Sequence, residues 1–188
     1  MSRISDRETA ILGLLCQKSQ YGYELEKTIE ERGMRTWTTI GFSSIYYVLK
    51  KLEEKGLIES TIKDMEGNPP RKIYSVTESG SSVLKEKLKK LLSQNKKSIS
   101  PFDLGIAYHF LLDPEEVIAC LTLYLASLDK REALLRQKMK ENENRGVPYR
   151  VIALFSRPLA LIEAERKWVT SFIKNKEKWR NDYGKTDP

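Results

Sequence analysis

At Gly56 the apolar pattern of the chain changes period, from every third or fourth residue to every second. Upstream lie three short helical stretches. Asp6 can cap the first, which runs to about Lys18 with Ile11, Leu14 and Leu15 as its apolar stripe. The second starts near Gly22, ends around Gly33 and buries Leu25 and Ile29, leaving Glu24, Glu26, Lys27 and Glu30 to water. After the connection TWTTIGFS, the segment SSIYYVLKKLEEKG reads as a third helix, opened by Ser43 and stopped by Gly56. Downstream, LIESTIK and KIYSV are rich in β-branched and aromatic residues and flank the turn-forming DMEGNPPR, which describes a hairpin. Thr77 can then cap a long helix carrying Val83, Leu84, Leu88, Leu91 and Leu92, although Gly80 leaves its capping box incomplete.

Helix, helix, helix, hairpin is the order of a winged helix-turn-helix, in which the third helix enters the DNA major groove and the hairpin follows the backbone. Many short α+β domains share that order, so residue placement has to decide. On the third helix Ile45, Val48, Leu49 and Leu52 form one stripe, with Ser43, Tyr47 and Lys50 opposite and Ser44, Tyr46 and Lys51 flanking. Serines at a helix start reach phosphates or base edges, lysines supply cationic contacts and tyrosines donate to backbone oxygens. The same face suits a solvated surface equally well. Asn68, Pro69, Pro70, Arg71 and Lys72 form a turn whose basic end can meet phosphates or simply water. Lys85, Lys87, Lys89 and Lys90 are spread around the following helix and read as solvated surface.

The polar stretch SQNKKSIS, ending at Pro101, is the candidate linker, and every strong signal after it is helical. Residues 101 to 112 suit a short helix. Asp113 with Pro114 restarts a second that runs to about Asn144, Gly146 and Pro148 break it, and a last helix spans about Tyr149 to Asp182. That last helix presents Ile152, Phe155, Leu159, Ile162, Trp168, Val169 and Phe172, with Pro158 as a candidate kink. The expected architecture is mainly α with a small β-hairpin wing: a winged helix-turn-helix domain over 1–92 and a helical domain over 93–188.

Composition narrows the function classes. A net charge of +7 fits a polyanionic partner, but residues 1–92 carry 16 Lys+Arg against 13 Asp+Glu and the rest 17 against 13, so charge does not locate a DNA face. No run of about 18 apolar residues occurs and MSRISDRETA has no signal-peptide pattern, so a cytoplasmic chain without membrane contact is expected. Cys16 and Cys120 lack ligand spacing and read as reduced core residues; no metal or cofactor is implied. One histidine, two distant cysteines and no phosphate-cradling glycine loop leave no catalytic set, and Glu115 and Glu116 are a charged first helical turn, so no enzyme is expected.

The segments AILGLL at 10–15, YGYEL at 21–25, SSIYYVLKKLEEKGLI at 43–58 and RKIYSVTESG at 71–80 resemble the PadR-like transcription regulators. The resemblance spans about residues 9–92 and continues more weakly to EAERKWVTSFI at 163–173, where it is similar to the longer members, including regulators that respond to phenolic acids. Tyr47 departs from the pattern, since the family often has proline after the tyrosine matched by Tyr46. What the resemblance implies is a homodimer, paired mainly through C-terminal helices, that represses a nearby promoter and is released by a small aromatic effector. Two-fold symmetry then predicts a pseudo-palindromic operator in double-stranded DNA. By the same resemblance Tyr46, Lys50 and Lys51 belong to the recognition helix, Gly22 and Tyr23 to the start of the second helix, and Arg71 with Lys72 to the wing. Tyr23 has packing as its other role.

For the effector, Tyr108 and His109 can bind a carboxylate, Trp37 and Trp168 can stack a planar ligand, and Arg131 or Arg166 can pair with its acid. His109 also suits a satisfied structural role. The competing function is a winged helix used only as a protein-interaction scaffold, without operator binding.

Overall fold

The computed structural model describes residues 4–41, 45–65, 68–95 and 99–180. The chain divides into two compact units, Met1–Lys97 and Ser98–Pro188. The first holds α1 (Asp6–Leu15), β1 (Gln20–Tyr21), α2 (Gly22–Glu31), a 3-10 turn at Met34–Thr36, α3 (Ile45–Glu54), β2 (Ile58–Met65), β3 (Asn68–Val76) and α4 (Glu78–Ser93).

Helix α1 is capped by Ser5, not Asp6. The Ser5 hydroxyl accepts the Glu8 N–H at 3.3 Å while the Glu8 carboxylate accepts the Ser5 N–H at 2.7 Å, a reciprocal box that Asp6, one residue late, cannot make. Asp6 instead pairs with Lys87 of α4 at 2.9 Å. Ile11, Leu12, Leu14 and Leu15 then meet Leu25 and Ile29 of α2, the α3 stripe Ile45, Val48, Leu49 and Leu52, and Leu57, Ile58, Tyr74 and Leu84 in one core. Cys16 is exposed, not buried, because it sits one residue past α1 where the chain leaves that core, and Cys120 lies on an outward position of its helix.

The strands form a three-stranded antiparallel sheet in the order β1-β3-β2. The hairpin is longer than its composition suggests: β2 and β3 pair from Ile58↔Val76 to Met65↔Asn68, with an irregularity between Lys63 and Met65. Residues 68–72, expected in a turn, therefore lie on β3, where the break in register accommodates the two prolines that cannot donate to a ladder. The two-residue β1 pairs Gln20↔Tyr74 and Tyr21↔Ile73 and tethers the start of α2 to the wing. Gly56, at φ 64°, ends α3 in a left-handed turn, and Thr77 caps α4 by accepting the Gly80 N–H at 3.0 Å. Beyond Leu84 the apolar stripe of α4 leaves the core of this unit: Leu88, Leu91 and Leu92 are exposed, the last at 90%.

The second unit holds α5 (Pro101–Ala107), a 3-10 turn at His109–Leu111, α6 (Pro114–Asn144), α7 (Tyr149–Lys174) and α8 (Lys176–Arg180). The single helix expected over 149–182 is broken at Asn175, and α8 turns back so that Trp179 donates its indole N–H to the Phe172 carbonyl at 3.0 Å. Val117 and Leu121 of α6, Val169 of α7 and Trp179 form the core, with Phe102, Tyr124 and Phe172 packed on it. No helix among the described residues is long and apolar enough to cross a membrane.

Candidate nucleic-acid interface

Because Ile45, Val48, Leu49 and Leu52 all point inward, α3 turns Tyr46, Tyr47, Lys50 and Lys51 to the outside, where all four are exposed. Lys51 reaches back over the Tyr47 ring, Nζ 4.6 Å from its centre, and hydrogen bonding to Tyr47 raises the pKa of that ammonium. Lys50 lies 3.9 Å from Glu54, one turn on, with both side chains largely in water. Such a pair contributes little and opens readily to a stronger anion. Ser43 and Ser44, also expected on this face, lie outside the described residues.

The start of α2 joins the same surface. The Glu24 carboxylate accepts the Tyr21 N–H at 3.0 Å, fixing the first turn. Gly22 lies directly under Tyr46: a Cβ there would stand 2.6 Å from Tyr46 Cε1, so only a hydrogen admits that ring. Tyr23 is half exposed and stacks on Tyr21 with ring centres 5.7 Å apart. Arg71 of β3 lies over the Tyr23 ring, its guanidinium carbon 5.2 Å from the ring centre. Lys72 points away from Arg71 and pairs with Glu53 of α3 at 3.6 Å, while the same carboxylate accepts the Ser60 hydroxyl. Helix α3 is thus linked to the first turn of α2 through Gly22 and Tyr46, and to the wing strand through Glu53 and Lys72. Sequence reasoning missed Tyr21 and Glu53, which hold Tyr23 and Lys72 in place; the signal for Tyr21 is its spacing of two from Tyr23.

At the core-facing end of α3, Glu8 is buried against Lys55, with which it forms an ion pair. Burial opposes its ionisation, but Lys55 and the Ser5 N–H and hydroxyl outweigh that and hold its pKa below the ordinary carboxylate value.

The residues expected to receive an effector are only partly brought together. In the second unit Trp168 stacks on Phe172 at 5.2 Å, Phe172 stacks on Trp179 at 5.6 Å, and His109 meets both Phe172 and Trp179 edge-on. The His109 Nδ1 hydrogen bonds the Ile106 carbonyl at 2.7 Å, the structural role. A shallow cleft of about 300 Å³ is lined by Trp168, Ser171, Phe172, Asn175, Lys178 and Trp179. Of the six expected residues only Trp168 lines it. Tyr108 packs toward Phe110 instead, Arg131 stands exposed on α6, and Trp37 belongs to the first unit. Arg166 is already matched by Asp129 at 2.7 Å and by Glu132.

Comparison with known proteins agrees with this fold. Residues 11–86, from α1 into α4, match the transcriptional regulator PadR-like family. An uncharacterized protein of Lysinibacillus sphaericus is 33% identical over 82 residues, which cover 44% of this chain and 74% of that protein. Among solved structures, Bacillus subtilis PadR in complex with operator DNA is similar with a TM-score of 0.70 at 22% identity, over 90% of this chain and 98% of that one. The same protein in complex with p-coumaric acid is similar with a TM-score of 0.70 at 22% identity, over 92% of this chain and 99% of that one. At such identity the likeness speaks for the fold, a winged helix followed by a helical unit that extends through nearly the whole chain. With its family match and its fold in agreement, the chain belongs to the PadR-like family of transcriptional regulators.

Proposed function

We propose that this protein is a repressor that binds double-stranded DNA as a homodimer, with α3 in the major groove and the β2–β3 hairpin along the flanking backbone. The observation that carries the reading is the division of α3: its apolar stripe is wholly buried, and its outer face offers two tyrosines and two lysines beside Tyr23 and Arg71. Gly22, Tyr46, Lys50, Lys51, Arg71 and Lys72 are the residues assigned to this interface, and Ser43 and Ser44 are assigned to it from the sequence alone. The first 92 residues form the DNA-binding domain and the remainder a dimerisation and effector domain, working in the cytoplasm without catalytic activity.

Pairing is supported by α7. Leu154, Leu161 and Trp168, seven residues apart, are exposed at 42%, 54% and 47%, next to the stripe of Ile162 and Val169 that packs within the unit. A seven-residue apolar repeat left open on a helix suits a second helix of the same kind. Two copies then display two α3 helices to a pseudo-palindromic site. A small aromatic acid is the effector we assign, received by the Trp168–Phe172–Trp179 column with Lys178 for its carboxylate. That Bacillus subtilis PadR was crystallised with operator DNA and with p-coumaric acid supports both assignments.

The test is duplex affinity as a function of salt. Binding falls steeply as salt is added, and Lys50→Ala weakens it and reduces the slope of log affinity against log salt by about 0.9. Binding that is insensitive to salt, or a Lys50→Ala protein that binds as the wild type does, contradicts the proposed face.

A further inference from the structure

The two cations at the base of the wing are held in opposite ways. Lys72 is matched by the Glu53 carboxylate at 3.6 Å. Arg71 makes no ion pair with a carboxylate among the described residues and lies instead on the Tyr23 ring at 5.2 Å, with Tyr23 backed by Tyr21 at 5.7 Å and an angle of 16° between planes. The strand register produces this column. Tyr21 pairs with Ile73, and residue 71 is two positions along β3 and so on the same face, which sets Tyr23 in the first turn of α2 beside Arg71. A guanidinium held over a ring still has N–H groups for an anion, and the contact removes rotamers that a free arginine would have to surrender on binding.

We propose that Tyr23 is a positioning residue for the wing: its ring holds the Arg71 guanidinium so that its N–H edge meets a phosphate of duplex DNA, and Tyr23 acts through Arg71. This rests on the DNA-binding reading above and assigns one of its phosphate contacts. Tyr23 is half exposed, so shortening it leaves the core intact.

The experiment is a double-mutant cycle on a duplex enriched from a random-sequence pool by the wild-type protein, with affinities measured at several salt concentrations. Arg71→Ala weakens binding and makes the salt slope shallower by about 0.9. Tyr23→Ala weakens binding about two- to fivefold in the Arg71 background and has no effect in the Arg71→Ala background, while Tyr23→Phe, which keeps the ring, restores wild-type affinity. Equal losses from Tyr23→Ala in both backgrounds, or a Tyr23→Phe protein as weak as Tyr23→Ala, make Tyr23 a DNA contact in its own right and overturn the inference. An unchanged salt slope for Arg71→Ala overturns it as well, by removing Arg71 from the interface. A wild-type protein that enriches no duplex fails earlier, at DNA binding itself, and is thereby told apart from a failure of the Tyr23 assignment.

Discussion

Two glycines of the first unit sit where a methyl group would collide, and the collisions differ in kind. At Gly80 a Cβ would stand 1.9 Å from the Leu57 backbone oxygen, where α4 crosses the start of β2, and neither partner can move without displacing its element. Gly80→Ala therefore destabilises the protein by about 2–3 kcal/mol in chemical unfolding, the cost of forced overpacking. At Gly22 the obstacle is the exposed ring of Tyr46, which can swing into solvent. Gly22→Ala changes stability by less than about 1 kcal/mol, yet weakens duplex binding by shifting Tyr46; equal effects of the two substitutions on stability would contradict the distinction. Glu8 gives a pH signature at the same scale. Its pKa in the folded chain lies below the ordinary value of 4.5, so its contribution to stability is complete above that value and disappears as pH falls through the folded pKa. Glu8→Gln lowers stability near neutral pH by about 1–3 kcal/mol and flattens the acid dependence of urea unfolding below about pH 4.5. An unaltered acid limb in that variant would remove the Glu8–Lys55 pair as its source.

At the scale of elements, α7 carries two apolar stripes one residue apart, and only one is covered within its unit: Ile162 and Val169 are buried, whereas Leu161 and Trp168 are open. Leu161→Lys puts a charge in the middle of the open stripe and leaves the covered one untouched, so sedimentation at micromolar concentration should show a folded monomer where the wild type is a dimer. A Leu161→Lys protein that still dimerises would place the seam elsewhere. These stripes also mark how far the sequence could be read. The stop of α3 at Gly56, the Thr77 cap of α4 and the Asp113–Pro114 start of α6 are written in local chemistry and were legible residue by residue. Periodicity could not say which side of α7 its own unit would cover, because Leu154, Leu161 and Trp168 repeat with the same spacing as the covered residues. The hairpin was underestimated because Asn68, Pro69 and Pro70 carry turn chemistry, while the pairing that draws them into β3 depends on residues of β2. A strand as short as Gln20–Tyr21 has no period to detect, and without it the approach of Tyr23 to Arg71 was not visible. The outward face of α3 was readable as a face; that Gly22 and Tyr46 would meet, and that Lys72 would be matched by Glu53, are consequences of packing between elements distant in sequence.

For the molecule as a whole, charge is spread almost evenly over the two halves, so the proposed DNA surface rests on the placement of a few residues and not on net charge. The central claim is that α3 works as a pair of probes in the major groove. Protection of guanine N7 from methylation reads that groove directly, since N7 lies on its floor. On a duplex selected by the wild-type protein, two clusters of protected guanines are expected with centres about one helical turn, or a multiple of it, apart, and both should weaken together in Lys50→Ala. Tight binding with every guanine N7 still open to methylation, or with one cluster only, would contradict the account.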